Sequence, residues 1–183
     1  MLQSLNLGAT RNSSDQSPKR PGRKETWPSC SDTAFKVIHL LGVVLFLGNI
    51  IVTALWKTLA DRTREPRIIA YAQHLVTVTD WVFTAGGVLL LLIGAYGMVV
   101  AGGLDPFGTP WLLWGQGLLL ASGVIWALVL IPTQIAQARL ARGFAAGSLI
   151  PERYWALNRR WLVWGIVATL VPLANLYVMI FKP

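Results

Sequence analysis

Apolar residues gather in four long runs, at residues 37–56, 78–101, 111–136 and 161–181, with short polar stretches between them. Each run is near the ~20 residues that cross a hydrocarbon core about 30 Å thick. Helices are the expected spanning form, because an isolated strand cannot satisfy its backbone in lipid and no two-residue alternation suggests a barrel. The second helix is expected to start well before its apolar run, at Pro66, since residues 68–79 hold no turn signal. From Pro66 it would run about 36 residues, or roughly 54 Å, so its first turns must protrude, tilt or bend. The stretch GGLDPFGTP, residues 102–110, predicts a tight turn between the second and third helices. Pro132 and Pro172 fall inside the last two runs, where each predicts a local kink. The fold class is therefore all-α: an integral membrane four-helix bundle over residues 34–183, preceded by a disordered basic N-terminal tail, residues 1–33, too polar to bury a core.

Composition agrees: 54% of the 183 residues are hydrophobic and only 13% are charged, about half the charged share of ordinary soluble domains. The formal charge of +8 does not point to nucleic acid, because the Lys and Arg sit between apolar runs and form no basic face with interleaved aromatics. The loops after the first and third helices carry Lys57, Arg62, Arg64 and Arg67, and Arg139, Arg142, Arg153, Arg159 and Arg160, whereas the turn after the second carries none. The positive-inside rule then places both loops in the cytoplasm and both termini outside. The opposing charges are the tail's Arg11, Lys19, Arg20, Arg23 and Lys24, together with Lys36 and Lys182. Trp56, Trp111, Trp114, Trp155, Trp161 and Trp164 lie near helix ends, where they read as interfacial anchors. Cys30 is the sole cysteine, which excludes an internal disulfide and a cysteine-based zinc site; no metal centre is expected. Two internal Met are too few for copper carriage.

Polar and small residues then mark inward faces. On the first helix Lys36, His39, Gly42, Phe46, Asn49, Thr53 and Trp56 recur at three- or four-residue steps; on the second His74, Thr77, Asp80, Thr84, Gly87, Leu91, Gly94 and Met98 do the same. Ionisable groups inside a span face protein or a cavity, so both stripes should turn inward. Depth sorts them. With the first two helices centred near Phe46 and Leu90, His39 lies ~10 Å toward the outer side and His74 ~20 Å toward the inner side, so the two cannot share a haem or a metal. The interior polar candidates are Asn49, Asp80, Gln116 and Asn175. His39 has Tyr96, Met98, Gln116, Asn175, Tyr177 and Met179 at its depth, whereas Asp80 has Thr84, Asn49, Thr53, Thr133 and Gln134, or else sits in wet headgroups beside an interfacial Trp81. His39 equally reads as helix glue bonded to Gln116 or Asn175.

The motifs KVIHLLG, TDWVFT, RRWLVWG and VMIFKP, in that order over residues 34–183, resemble a bacterial family of predicted four-helix integral membrane proteins without assigned function. That family is distantly similar to the HemJ-type protoporphyrinogen oxidases and the CopD-type copper-resistance membrane proteins. The resemblance implies an inner-membrane location and a haem b held by His39, which stands in the Lys-x-x-His position. HemJ-like proteins also use a lysine in a later helix, and this chain has none inside its second, third or fourth run, so Met98 or Met179 is the candidate second ligand by depth.

Two functions follow as expectations: a small haem b protein with a redox role, or a cofactor-free accessory subunit of a larger membrane complex, with the bilayer, a membrane protein or a second copy as partner. A proton-coupled permease built on Asp80 and Asn49 is a third.

Overall fold

The computed structural model describes residues 30–182, and the proposed tail lies almost wholly outside that range. All regular structure among the described residues is helical, in four rods. The first rod is α1 (Cys30–Arg62). The second joins α2 (Pro66–Thr79) to α3 (Gly86–Ala101) through a π-helical segment, Asp80–Ala85, and the third joins α4 (Pro110–Ile125) to α5 (Ile131–Phe144) through a second one, Trp126–Leu130. The fourth is α6 (Glu152–Phe181). Four helices are long and apolar enough to cross a membrane: Thr33–Arg62, Pro66–Ala101, Pro110–Phe144 and Glu152–Phe181. The early start at Pro66 is as expected, while the other three rods extend beyond their apolar runs because polar residues continue the helix at the basic-loop end.

Local chemistry sets the boundaries. Pro66 and Pro110 open their helices, where the missing N–H costs nothing. After α3 the chain closes a Schellman motif: Gly103 takes φ +60°, its N–H reaches the Val100 carbonyl at 3.3 Å, and the Leu104 N–H reaches Val99 at 3.0 Å. Asp105 then accepts the Phe107 N–H at 2.9 Å, folding GGLDPFGTP back into α4. Gln116 pins this turn by donating to the Pro106 carbonyl at 2.8 Å and accepting from the Tyr96 hydroxyl at 2.9 Å. The π segment Trp126–Leu130 ends two residues before Pro132, whose ring and missing N–H disrupt the ordinary ladder there, so the extra residue in the turn absorbs the proline.

The rods assemble as two tight pairs. In the first, α1 lies against α3 with their backbones touching. A Cβ on Gly42 would fall 2.7 Å from the Gly87 carbonyl oxygen, one on Gly87 would fall 2.8 Å from the Phe46 nitrogen, and one on Gly94 would overlap the backbone of His39. Between lipid-embedded helices the hydrophobic effect supplies little, so such close approach carries the packing. In the second pair α4 lies on α6, fastened by the Ser122 hydroxyl donating to the Ala168 carbonyl at 3.0 Å and by Asn175 Nδ2 donating to the Gly115 carbonyl at 3.1 Å. The pairs join at the basic-loop end, where α2 packs on α5 and α1 on α6. One apolar cluster there holds Ile69, Ala141, Phe144 and Tyr154, and a second, deeper one holds Val76, Leu130, Trp161 and Ala168. Toward the 102–109 turn the pairs part: among the described residues no Cα of α3 comes within 8 Å of α4 or α6 across the bundle.

Candidate functional site

Asp80 opens the first π segment and is 8% exposed. Its Oδ1 accepts from Asn49 Nδ2 at 3.0 Å and from the Thr84 hydroxyl at 3.3 Å, and its Oδ2 accepts a short hydrogen bond from Gln134 Nε2. Asn49 Nδ2 also donates to the Thr84 hydroxyl at 2.9 Å, and Thr53 Oγ1 donates to Asn49 Oδ1 at 3.1 Å, which orients the carboxamide. Every donor is neutral. Three hydrogen bonds leave a carboxylate acceptor site unused, and no Lys, Arg or His among the described residues forms an ion pair with this one.

Asp80 belongs to the wall of a cavity of about 300 Å³ at the level where the two helix pairs part. Phe46 and Thr53 of α1, Ser122 and Trp126 of the third rod, and Trp161 and Gly165 of α6 line it too. Both π segments contribute, and their Trp81 and Trp126 rings meet edge to face at 6.2 Å. π turns inside α-helices recur at functional sites because the extra residue redirects side chains. The indole N–H groups of Trp126 and Trp161 are buried without a protein acceptor. The cavity thus combines aromatic walls, one carboxylate and two unpaired donors, the composition of a small-molecule site.

The expectations fare differently. Asn49 and Asp80 are brought together with Gln134, Thr84 and Thr53, as depth predicts, while Thr133 bonds to the Val129 carbonyl instead; Asp80 is buried and has three partners, unlike the partnerless carboxylate of the headgroup alternative. Gln116 and Asn175 make bonds of their own, remote from Asp80, to the turn and to α4. His39 Nδ1 bonds to the Leu91 carbonyl at 2.9 Å, so neither Gln116 nor Asn175 is its partner. Since a carbonyl only accepts, Nδ1 carries the proton, and a neutral ring then has its lone pair on Nε2, the state a metal-ligating imidazole needs. Met98 sits one helical turn beyond Gly94 on α3, and the Met179 methyl lies where a Cβ on Gly115 would fall, on the other helix pair. His39 and Met98 therefore belong to the α1–α3 pair and Met179 to the α4–α6 pair. His74 is exposed and lies twenty residues before Gly94, the neighbour of His39, or ~30 Å along the same rod.

Sequence reasoning missed a second cluster. Lys57, expected at a flank, is 1% exposed; it donates to Asp61 Oδ2 at 3.1 Å and to the Tyr154 hydroxyl at 2.9 Å, while that hydroxyl donates to Asp61 Oδ1 at 3.0 Å. Lys57 Nζ also lies 5.1 Å from the Tyr154 ring centre and 5.6 Å from that of Trp161. The i,i+4 spacing of Lys57 and Asp61 was the available signal. Beside this triad a second cavity of about 320 Å³ is lined by Thr58, Asp61, Arg62, Arg64, Trp155, Asn158, Trp161 and Leu162, so Trp161 and Leu162 border both cavities. Among the described residues no group of three or more His, Cys, Asp and Glu could hold a metal ion.

No curated protein and no solved structure matches the chain. Residues 33–183, however, fit the model of a family described as "Predicted integral membrane protein (DUF2269)", a match that spans all four rods and both cavities, and the chain belongs to that family.

Proposed function

We propose that this membrane protein binds a lipid-soluble amine in the Asp80 cavity. The observation that carries the reading is a buried carboxylate held by three neutral donors on the wall of an aromatic cavity. A charge taken out of water needs a compensating charge nearby. A cationic centre on the ligand supplies it, Phe46, Trp126 and Trp161 set aromatic rings around the same cation, and the unpaired indole N–H groups suit an acceptor oxygen on the ligand. The parting of the helix pairs gives such a molecule a lateral approach from the bilayer. By the loop charges, the basic-loop end faces the cytoplasm of a bacterial inner membrane.

The test is equilibrium binding of N,N-dimethyl-2-phenoxyethylamine, a lipid-soluble tertiary amine with one ether oxygen that is cationic when protonated, to the detergent-solubilised chain. Asp80→Asn keeps the shape and removes the charge, and it should weaken binding by tenfold or more. Equal affinities for the two proteins would refute the reading.

A second reading, haem b at His39 with a redox role, is supported by the bond from Nδ1 to Leu91, which leaves Nε2 as the ligating atom. His39 would hold the iron from the α1–α3 side, and the group would supply one-electron chemistry when bound. Visible spectra after expression with ample haem test it: a Soret band that His39→Ala removes supports it, and no band sinks it. A cofactor-free accessory subunit would instead co-purify with a stoichiometric membrane partner at native abundance.

A further inference from the structure

Buried polar side chains are divided unevenly along the bundle. From Asp80 toward the basic loops lie Gln134, Gln137, Gln73, Tyr154, Asp61 and Lys57, with the half-buried Asn158; from Asp80 toward the 102–109 turn the buried positions are Phe46, Gly42, Gly87, Gly94, Val99, Leu112 and Gly115, with the hydroxyls of Thr84 and Ser122 and one unpaired amide oxygen, Asn175 Oδ1. Two residues on the polar side are anomalous. Gln73 is 0% exposed, and neither atom of its amide has a protein partner; Gln137 is also 0% exposed, and its Oε1 has none. Leaving such groups dry costs about 1–3 kcal/mol each, so native proteins satisfy them, commonly with water.

Their positions form a line. Asn158 lines the outer cavity with Arg62 and Arg64 of the basic-loop end, and its Oδ1 accepts from Gln137 Nε2 at 3.3 Å. Gln137 lies one turn from Gln134 on the same face of α5, and Gln134 donates to Asp80. On the facing rod, Gln73 lies two turns before Asp80 on the same face of α2, between Ile69 of one apolar cluster and Val76 of the other. Residues one turn apart have Cβ atoms ~5–6 Å from each other, a gap that one water spans. The interruption in the protein's own hydrogen bonding falls between Gln137 and Gln134, at the level of the unpaired amides.

We propose that a file of water threads these amides from the outer cavity to Asp80, giving that carboxylate proton exchange with the basic-loop face of the membrane alone. A proton enters from hydronium at the mouth and passes along successive O–H groups to an Asp80 oxygen; each water is regenerated, and nothing is oxidised or reduced. The charged groups lining the mouth are Asp61, Arg62 and Arg64, with Lys57 and the Tyr154 hydroxyl buried behind Asp61; among the described residues around Asp80 itself, α1, α5 and α6 present Asn49, Thr53, Gln134, Trp161 and Thr169, none of them charged. The inference concerns access to the carboxylate and rests on the ligand reading only in sharing Asp80.

Thiol accessibility tests it. In a Cys30→Ser background, Asn158→Cys, Gln137→Cys and Val99→Cys are each treated in sealed vesicles with a membrane-impermeant methanethiosulfonate from one face or the other. Asn158→Cys and Gln137→Cys should react from the basic-loop face and at least tenfold more slowly from the opposite one, while Val99→Cys should react from neither. An inert Gln137→Cys, or equal reaction from both faces, overturns the proposal. Gln73→Leu supplies a second measurement that needs no labelling: in a dry interface, removing an unpaired amide raises the melting temperature, whereas along a water file it lowers it. A rise overturns the proposal. Amine binding without thiol access leaves the ligand reading standing and this one refuted; access without binding does the reverse.

Discussion

Gly42 and Gly48 stand on the same helix, yet alanine should act on them with opposite sign. At Gly42 the new Cβ would lie 2.7 Å from the Gly87 oxygen and the Leu91 Cα, and closer still to the Leu91 nitrogen, where ordinary contact is 3.4–4 Å. All three atoms are backbone, so no side chain can rotate away; α1 must withdraw from α3 by roughly 1 Å, which forfeits a good part of the dispersion contact on either side. Overpacking of this kind costs about 1–3 kcal/mol. At Gly48 nothing lies within 4 Å of the added atom, so only the backbone effect remains, and replacing a helical glycine stabilises by roughly 0.5–1 kcal/mol. The helical gain is common to both, so the two variants should differ by the overpacking cost, about 1–3 kcal/mol, with wild type between them. Parallel thermal denaturation in detergent, followed by far-ultraviolet circular dichroism, measures the order. A Gly42→Ala protein as stable as Gly48→Ala would show that the α1–α3 backbone contact is not formed, and with it the placement of His39 against Leu91 would fall.

Three further outcomes follow from the geometry. Lys57→Met strands the Asp61 carboxylate in a buried site and should cost about 3–5 kcal/mol, and adding Asp61→Leu should recover most of it; a double variant less stable than the single one in the same melting assay contradicts the triad. Ser122→Ala removes one bond between α4 and α6, for which ~0.6 kcal/mol and no more than about 1.7 is expected by chemical denaturation in detergent. Asp105 in the 102–109 turn is held below the ordinary carboxylate range by the N–H groups of Gly108 and Phe107. Its support of the turn is thus complete above about pH 4 and is lost as pH falls through the lower folded-state value; carbon-13 titration of its carboxyl should place the midpoint below that of an unfolded peptide.

The periodicity of apolar residues was sufficient for the four rods and for the His39–Gly42–Phe46–Asn49 face of α1, since spacing along a helix fixes which side chains share a side. It misplaced the first part of the second rod. The expected stripe ran through His74 and Thr77, but the π segment Asp80–Ala85 takes an extra residue, so the buried line continues from Thr84 through Asp80, Val76 and Gln73 to Ile69. No proline marks that segment, and a constant 3.6-residue period cannot anticipate it. The same assumption hid Gln73. Lys57 escaped for another reason: a cation at the end of an apolar run reads as a topology signal, and only the fold brings Tyr154, 97 positions away, to its ammonium.

The two halves of the bundle solve different problems with different residues. Where α1 meets α3, glycine brings backbones into contact, because lipid chains leave adjacent helices no hydrophobic gain and only close packing holds them. Such a seam is close-packed, backbone on backbone, from Gly42 to Gly94. Toward the basic loops, the amides of α2 and α5 and a buried Lys57–Asp61 pair between α1 and α6 replace glycine, and polar side chains at membrane depth are costly unless they have partners. Asp80 stands at the boundary, with the apolar seam on one side, the polar column on the other and the cavity between the helix pairs beside it. A purely structural carboxylate would be better served by an apolar replacement of similar volume, as buried ionic groups often are. Two π segments converge on the one wall where this charge is kept, and Trp126 and Trp161 hold unpaired donors in the same place. Both proposals meet at this residue, and Asp80→Asn, which keeps the side chain's shape, should leave the fold intact while weakening amine binding.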